Sequence, residues 1–318
     1  EGITVRGAKM LGTGSIMANE VLFANIQPLK PGEEKYAISF AIPMNTKGLK
    51  VMSRRSYEES ANSSFDYPLS SRFDENDALV YCDDVKVPWE RVFIYKDTDT
   101  ARGQFQDTYA HYMQNYQAMT RLMVKMQFQV GVARRMCETI GTIGIPSVAE
   151  KLGHMAAQAA MVEGLVYGME SGGGMFNGYY VPDRNLMYTA QVLTQQLYPE
   201  FITSMRELAG GGLIMQPSSA ADFTDPDLNR YINATQKSAI GTAEEKVKFM
   251  KLAWDCIGSE FASRHTQYEM FYAGAQFVTR GHAMRTYDWE RSSDLVDSIL
   301  DKYSLADTIG GSDKIAAE

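Results

Sequence analysis

Cysteine, tryptophan and histidine are scarce in these 318 residues, with three Cys, three Trp and four His. Cys82, Cys137 and Cys256 are odd in number and far apart. That spacing excludes a disulfide framework and favours a reducing cytoplasm. The histidines, His111, His154, His265 and His282, form no His-Glu-x-x-His pattern, and the cysteines form no Cys-x-x-Cys pair, so no metal site is expected. No apolar run reaches the roughly 18 residues that a membrane span requires. Basic residues are in the minority, 31 Lys and Arg against 39 Asp and Glu, and the net charge of -8 argues against nucleic acid as a partner. A dinucleotide-binding loop is missing too. Gly12-Thr13-Gly14 begins such a pattern, but Met17 stands where a third glycine is needed, and no βαβ alternation follows.

What is present is a hydrophobic fraction of 45%, enough in a chain of this length for a large core and two domains. Residues 1–100 read as β. Short runs at 3–11, 20–26, 36–43, 49–56 and 78–87 are rich in β-branched and aromatic residues, and Gly, Pro and Asn separate them. Pro88-Trp89 is expected to end the last strand. From about residue 101 to the end at 318, the period becomes helical. Met119, Leu122, Met126, Val130, Ala133, Cys137 and Ile140 lie on one face of a long helix. Ser147 and Glu150 suggest a capping box that starts a second helix, and residues 171–174, Ser-Gly-Gly-Gly, stop it. A third runs from about Asp183, with Pro199 as an expected kink. Thr242-Ala243-Glu244-Glu245 is another capping box, and Val247, Met250, Trp254, Ile257 and Phe261 form the stripe of the helix behind it. Four long amphipathic helices imply a four-helix bundle, and a β domain in front of it makes the chain α+β.

Two distant segments carry the functional signal: Asp66-Tyr67-Pro68-Leu69-Ser70-Ser71-Arg72-Phe73-Asp74-Glu75-Asn76-Asp77-Ala78, and Trp254-Asp255-Cys256-Ile257-Gly258-Ser259-Glu260-Phe261-Ala262-Ser263-Arg264-His265. In this order they resemble the 4-hydroxyphenylacetate 3-monooxygenase family of two-component, FADH2-dependent monooxygenases, and within it the chlorophenol and nitrophenol oxygenase components. The resemblance runs over nearly the whole chain. It implies an acyl-CoA dehydrogenase-like fold, with a middle β domain followed by a C-terminal four-helix bundle. Family members usually carry an N-terminal helical domain as well, and the chain, opening on Glu1 in a strand-like run, reads as the C-terminal part of a longer protein. The implied activity is hydroxylation of a halo- or nitrophenol through a flavin C4a-hydroperoxide, with loss of the halide or nitro group. FAD is the implied cofactor, used as FADH2 and delivered by a separate NADH:flavin reductase. O2 is the co-substrate, and a homotetramer is the implied assembly. The alternative is a 4-hydroxyphenylacetate 3-hydroxylase, and a more distant one is an acyl-CoA dehydrogenase-like enzyme or a CoA-ester dehydratase. A dehydratase relative holds an iron–sulfur cluster through a His and a later Cys; here Ala118 stands at the Cys position and cannot ligate iron.

The resemblance also marks site residues, each of which has a plain structural reading. His111 shares a helical face with Asn115, Ala118 and Leu122 and so points inward, where most lone histidines are core residues. In the halophenol enzymes a His at this place is the base for the phenol. Phe261 is core by its stripe, and in the family the matching Phe stacks on the substrate ring. Ile26 and Gln27 sit in a loop between two strands, which is either a surface hairpin or the family's substrate-covering loop. Thr13 and Ser15 end a strand that lies beside the isoalloxazine ring in the resembling enzymes, or else form an ordinary turn. Gly210, Gly211 and Gly212 follow a helix as a C-cap would. In the family this stretch, with Ser218 and Ser219, approaches the flavin's diphosphate or adenosine end. Arg54 and Arg55 read equally as a surface pair or a phosphate contact. Asp83-Asp84 and Glu244-Glu245 read as solvated charges at a turn and a helix start.

Overall fold

The computed structural model describes residues 1–309. Its first part is built from short antiparallel strands: β1 (Gly2–Lys9), β2 (Glu20–Phe23), β3 (Ile38–Pro43) and β4 (Leu49–Ser53). After a single helical turn, α1 (Ser70–Phe73), come β5 (Ala78–Pro88) and β6 (Val92–Tyr95). The strands form two three-stranded sheets, ordered β1-β5-β4 and β2-β3-β6. Their inner faces meet in one apolar core, where Phe40, Ile42, Val80, Val85 and Val87 are buried and Phe23 stacks on Phe40 at 4.7 Å. β5 ends at Pro88 as expected, but it is not the last strand. The chain turns at residues 89–91 and returns as β6, whose Val92 and Ile94 pair with β3.

The helical part follows. After α2 (Thr98–Gln106) run three long helices, α3 (Ala110–Ile140), α4 (Pro146–Ser171) and α5 (Arg184–Ala209). A hairpin of β7 (Gly174–Phe176) and β8 (Tyr179–Val181) joins α4 to α5. The chain continues through α6 (Pro226–Thr235), α7 (Ala243–Ile257), α8 (Glu260–Phe271), α9 (Gln276–Thr286), α10 (Trp289–Leu300) and α11 (Leu305–Ile309). One core runs through α3, α4, α5 and α7, with Leu122, Met126, Met155, Met187, Phe201, Met205 and Met250 almost wholly buried. Met, with its flexible unbranched side chain, fills the irregular gaps among these helices. Among the described residues, no helix is long and apolar enough to cross a membrane.

Helix starts follow local chemistry in two of the expected places. Asp183 caps α5 by accepting from Leu186 N, and Thr242 and Glu245 close the capping box of α7. The start of α4 departs from expectation. Pro146 occupies its first turn and Ile145 its cap position, so Ser147 lies inside the helix and caps nothing. Proline with its preset φ suffices to begin a helix there. α5 runs unbroken through Pro199. The stripe from Val247 to Phe261 does not belong to one helix either. α7 stops at Ile257, and Ser259 caps a new helix, α8, by accepting from Ala262 N. Gly258 permits this break, because a Cβ there would stand 2.3 Å from the Trp254 ring.

The strand and helix regions are stitched by the segment between β4 and β5. Asp255 of α7 is fully buried. Its carboxylate accepts from Leu69 N at 2.8 Å, Ser70 N at 2.7 Å, Ser70 Oγ at 2.6 Å and Ser259 Oγ at 2.9 Å. One turn earlier, Lys251 pairs with the buried Asp66 at 3.0 Å. Further on, Arg264 of α8 makes a two-pronged contact with Asp77, 3.0 Å through Nε and 2.7 Å through Nη2, and reaches Glu75 at 2.7 Å. The segments 66–78 and 254–265 are therefore a single contact surface. Asp255→Ala leaves several buried donors without an acceptor, so it should lower unfolding free energy by about 3 kcal/mol or more. Urea denaturation of the variant beside the parent protein measures this loss.

Candidate functional site

A cavity of about 1190 Å3 opens between α3, α8 and the 66–78 segment. Leu69 and Phe73 form one wall, Met113, Thr120, Val124 and Phe128 of α3 another, and Phe261 closes a third side. The floor is Tyr198 of α5 and Cys256 of α7. About half of this lining is apolar or aromatic, which suits a flat ring, and Phe73, Met113, Val124 and Phe128 in it are exposed.

One stripe of α3 differs. Arg121, Lys125 and Gln129 succeed one another at a spacing of four, which places all three on one face. Lys125 donates to Glu269 at 2.5 Å and to Nδ1 of His265 at 3.1 Å. Arg121 reaches the same Glu269 oxygen at 3.1 Å and lies over the Tyr268 ring at 3.9 Å. Gln129 Nε2 donates to Tyr198 Oη at 3.0 Å, and its Oε1 is buried without a partner. Burial, with Lys125 and Arg264 beside it, lowers the His265 pKa to about 3. Its ring is neutral at ordinary pH, and with Nδ1 accepting from Lys125 the proton sits on Nε2. Burial also pushes the Cys256 thiol up to about 12, so it stays protonated. Burial draws the Lys125 ammonium below its usual range, against the pull of Glu269.

The rim toward the sheets is an ionic cluster. Burial opposes ionisation of Asp77, but Arg264, Arg54 and Thr13 outweigh it and hold the carboxyl well below the usual range. Arg54 joins Asp77 at 2.9 Å and Asp74 at 2.7 Å. Arg54 therefore ties β4 to the 66–78 segment. Arg55 is exposed and stands 3.6 Å from Glu260.

The expected site residues are distributed as follows. Phe261 lines the cavity. Thr13 and Ser15 do not end a strand as expected, because β1 stops at Lys9 and the chain turns at Gly14; Thr13 reaches the cavity rim by donating to Asp77 at 2.7 Å, and Ser15 Oγ is buried without a partner. Ile26 is exposed in the loop after β2, and neither it nor Gln27 is among the lining residues. Gly210, Gly211 and Gly212 form a helical turn at the end of α5, and a Cβ on any of them would meet nothing within 4 Å. Gly210 has φ +58°, in the left-handed region that favours glycine. Ser218 bonds Asp222, and Ser219 caps the short turn after it. His111 points inward, as its spacing implies, but into a different cluster. Its Nδ1 lies 3.0 Å from Tyr188 Oη, Tyr188 stacks on His282 at 4.7 Å, and the cavity wall does not include it. Burial lowers the His111 pKa as well, so its ring is held neutral. His265, Arg121, Lys125 and Gln129 were not expected. The spacing of Arg121, Lys125 and Gln129 on one face of α3 was the one signal for them.

Comparison with known proteins places these features in a family. Residues 101–301 match the model of the 4-hydroxyphenylacetate 3-hydroxylase C-terminal region, and residues 1–94 that of its N-terminal region. The chain is 36% identical over 291 residues to the 4-hydroxyphenylacetate 3-monooxygenase oxygenase component of Pseudomonas aeruginosa, covering 89% of this chain and 56% of that protein. It is 35% identical to the oxygenase component of a Rhodococcus 4-nitrophenol 2-monooxygenase, covering 90% and 56%. The chain thus spans little more than half the length of these relatives. Among solved structures, a 4-hydroxyphenylacetate 3-monooxygenase oxygenase component complexed with FAD and 4-hydroxyphenylacetate superposes with a TM-score of 0.88 at 33% identity, covering 95% of this chain and 63% of that one. A glutaryl-coenzyme A dehydrogenase, at a TM-score of 0.54 and 13% identity over 88% of this chain and 57% of that one, shares the fold alone. The expected α+β, acyl-CoA dehydrogenase-like architecture is the one found.

The lowered pKa of His265 has a consequence for stability. A histidine free in the unfolded chain takes up its proton near 6.5. In the fold it does so only near 3. Between those values the unfolded state binds more protons, so stability falls as pH falls through that window. His282, drawn down to about 4 by burial, adds to the same slope. The urea midpoint should therefore drop between about pH 6.5 and 4. The drop should be shallower in His265→Gln, and equal slopes would return His265 to a solvated state.

Proposed function

The chain belongs to the 4-hydroxyphenylacetate 3-hydroxylase family, and from that premise we propose that it carries the phenol-hydroxylating site of an FADH2-dependent monooxygenase. The supporting observation is the aromatic cavity beside the Thr13–Asp77–Arg264 rim. In this proposal the cofactor is FAD, a separate reductase supplies it in reduced form, and O2 is the second substrate. Two features fit a flavin. Ser15 Oγ, buried with no partner, offers an unused hydrogen bond in the helical turn at 15–17 that follows β1, and the backbone at Gly210–Leu213 is open to close approach. Thr13 and Ser15 would hold the ring end, and Gly210 to Gly212 with Ser218 and Ser219 the diphosphate end. When bound, reduced flavin activates O2 and delivers one oxygen atom to the phenol.

The chain's own residues supply the rest. Leu69, Phe73, Phe128 and Phe261 enclose the aromatic ring and exclude water, which protects a reactive site from unproductive hydrolysis. Protonated Cys256 and neutral His265 add neither a nucleophile nor a charge beside an oxidised product. The substrate class favoured is a phenol with a carbon side chain para to its hydroxyl. Relatives described as 4-hydroxyphenylacetate monooxygenases support this over a halophenol. The relative described as a 4-nitrophenol 2-monooxygenase supports a nitrophenol as the substrate of the second reading. Ile26 and Gln27 would cover the substrate from their loop, and a homotetramer in a reducing cytoplasm is the proposed state.

His111 is proposed as the base that takes the phenol proton. Its support is a neutral ring, able to accept; its engagement by Tyr188 and its place outside the cavity wall favour a packing role. Mixing the protein with a flavin reductase, NADH, FAD, O2 and 4-hydroxyphenylacetate should yield the 3,4-dihydroxy product. A parallel arm with 4-nitrophenol reads nitrite release, which would favour the second reading. NADH consumption without the reductase would overturn the two-component scheme. His111→Ala should lower hydroxylation by about 10² to 10⁴ if the imidazole is the base. Hydrogen peroxide should then appear in place of product. A near-normal rate in that variant assigns His111 to packing against Tyr188 and His282.

A further inference from the structure

A buried hydrogen-bond donor on α8 is left unused. Lys125 approaches Nδ1 of His265 at 3.1 Å. An ammonium group only donates, so Nδ1 is the accepting nitrogen and Nε2 carries the ring proton. Nε2 is buried and finds no acceptor among the described residues. A buried N–H left unpaired costs free energy, and an acceptor brought by a ligand recovers it. His265 lines the cavity, and its ring stands edge-on to Phe261 with centroids 4.4 Å apart.

The surroundings hold the imidazole in this state. Among the described residues, the charged groups about it are Arg121 and Lys125 of α3, Arg264 and Glu269 of α8, and Asp74 and Glu75 of the 66–78 segment. Each of these carboxylates is already engaged by a cation, Asp74 by Arg54, Glu75 by Arg264, and Glu269 by both Arg121 and Lys125. Burial and the neighbouring cations keep the ring neutral down to about pH 3. The Lys125 charge on Nδ1 also polarises the ring and makes Nε2–H a stronger donor.

We propose that His265 donates from Nε2 to the phenol oxygen of the aromatic substrate and holds that oxygen in its ionised form. This rests on the phenol-hydroxylase reading above and adds a catalytic residue to it. The substrate ring lies beside Phe261 with its oxygen turned to the imidazole. The phenol O–H bond breaks, its electron pair stays on the oxygen, and the proton passes to solvent. The ionised phenol is the electron-rich form that attacks an electrophilic oxygen. A neutral donor placed at the charged oxygen stabilises that form without itself gaining or losing a proton.

4-Nitrophenol reports its own ionisation, because its phenolate absorbs visible light and its neutral form does not. Titrating it across pH with the protein, with His265→Gln and with His265→Leu gives the affinity of each form, and thermal melts verify folding. The parent should bind the phenolate about 10- to 100-fold more tightly than the phenol. His265→Gln, whose amide N–H can stand in for Nε2–H, should keep most of that preference. His265→Leu should lose it, while affinity for the neutral phenol stays within about 3-fold of the parent. A preference that survives in His265→Leu would overturn the proposal. A parent that binds both forms alike would overturn it too and leave the phenol-hydroxylase reading standing. If the parent binds neither form, that reading fails and the proposal falls with it. Should His265→Leu not fold, the imidazole 15N resonance of His265 in the parent decides. It should move when 4-nitrophenolate binds, and an unmoved resonance overturns the proposal.

Discussion

A single buried carboxylate organises this molecule. Asp255 sits in the last turn of α7 with no solvent access, and four donors from two segments, 185 positions apart for Ser70, converge on it. A buried charge is tolerated only when its hydrogen-bonding capacity is filled. Two of the donors are backbone N–H groups at the start of α1, where an anion also complements the exposed amides. Ser259 makes the third partner and is at the same time the cap of α8, so the break between the two helices and the docking of the 66–78 segment are set together. Once that junction is fixed, Leu69 and Phe73 stand across from Phe261, and the cavity has its width. Arg264 then lies within reach of Asp77, and through Asp77 the turn holding Thr13 joins the rim.

The same junction explains why the charged groups of the site divide into two sets. Toward the sheets, Arg54 and Arg264 are matched to Asp74, Asp77 and Glu75 in a network of short contacts, and the depressed carboxyl of Asp77 marks how fully it is paired. Toward the bundle, Arg121, Lys125 and Glu269 lie among aromatic rings with fewer partners than charges. The first set fixes the geometry. The second is left unbalanced inside an apolar chamber, where electrostatic interactions are stronger than in water. Rigid pairing on one wall leaves the other, where two cations share Glu269, to line the cavity.

Much of this was legible in the sequence, and the failures have physical causes. Change of period near residue 100, the helix start at Asp183 and the capping box at Thr242 are local signals, and each appears where it was expected. β6 was missed because Trp89 and its neighbours spend three residues in a tight turn and then resume pairing with β3, a partner some 50 positions earlier. Ser147 looked like a cap because capping boxes are recognised by spacing, whereas Pro146 had already opened the helix. The helix break at Gly258 was hidden because Phe261 falls in register with Val247 whether or not the axis bends. The bonds from Asp255 to Ser70 and from Arg264 to Asp77 carry no local signal at all, since neither partner's neighbourhood requires the other. Only the paired occurrence of the two segments hinted at contact.

His111 shows the limit of periodicity most clearly. Its spacing with Asn115, Ala118 and Leu122 placed it on a buried face, and it is there. α3 has a second face beside the core one, however, and it opens on the cavity. Ala118, Leu122, Met126 and Ala133 pack into the bundle core, while Thr120, Val124 and Phe128, with Arg121, Lys125 and Gln129 beside them, look onto the cavity. Each residue advances about 100° around the axis. Two stripes so close in angle adjoin each other, and an inward side chain can serve either one. What separates them is polarity that packing would not choose. A core stripe tolerates Ala, Leu and Met, but Arg121 and Lys125 persist on an interior surface only where a carboxylate, an aromatic face or a ligand meets them. In this long helix, the paired cations at a spacing of four lie on the cavity face, and the lone histidine does not.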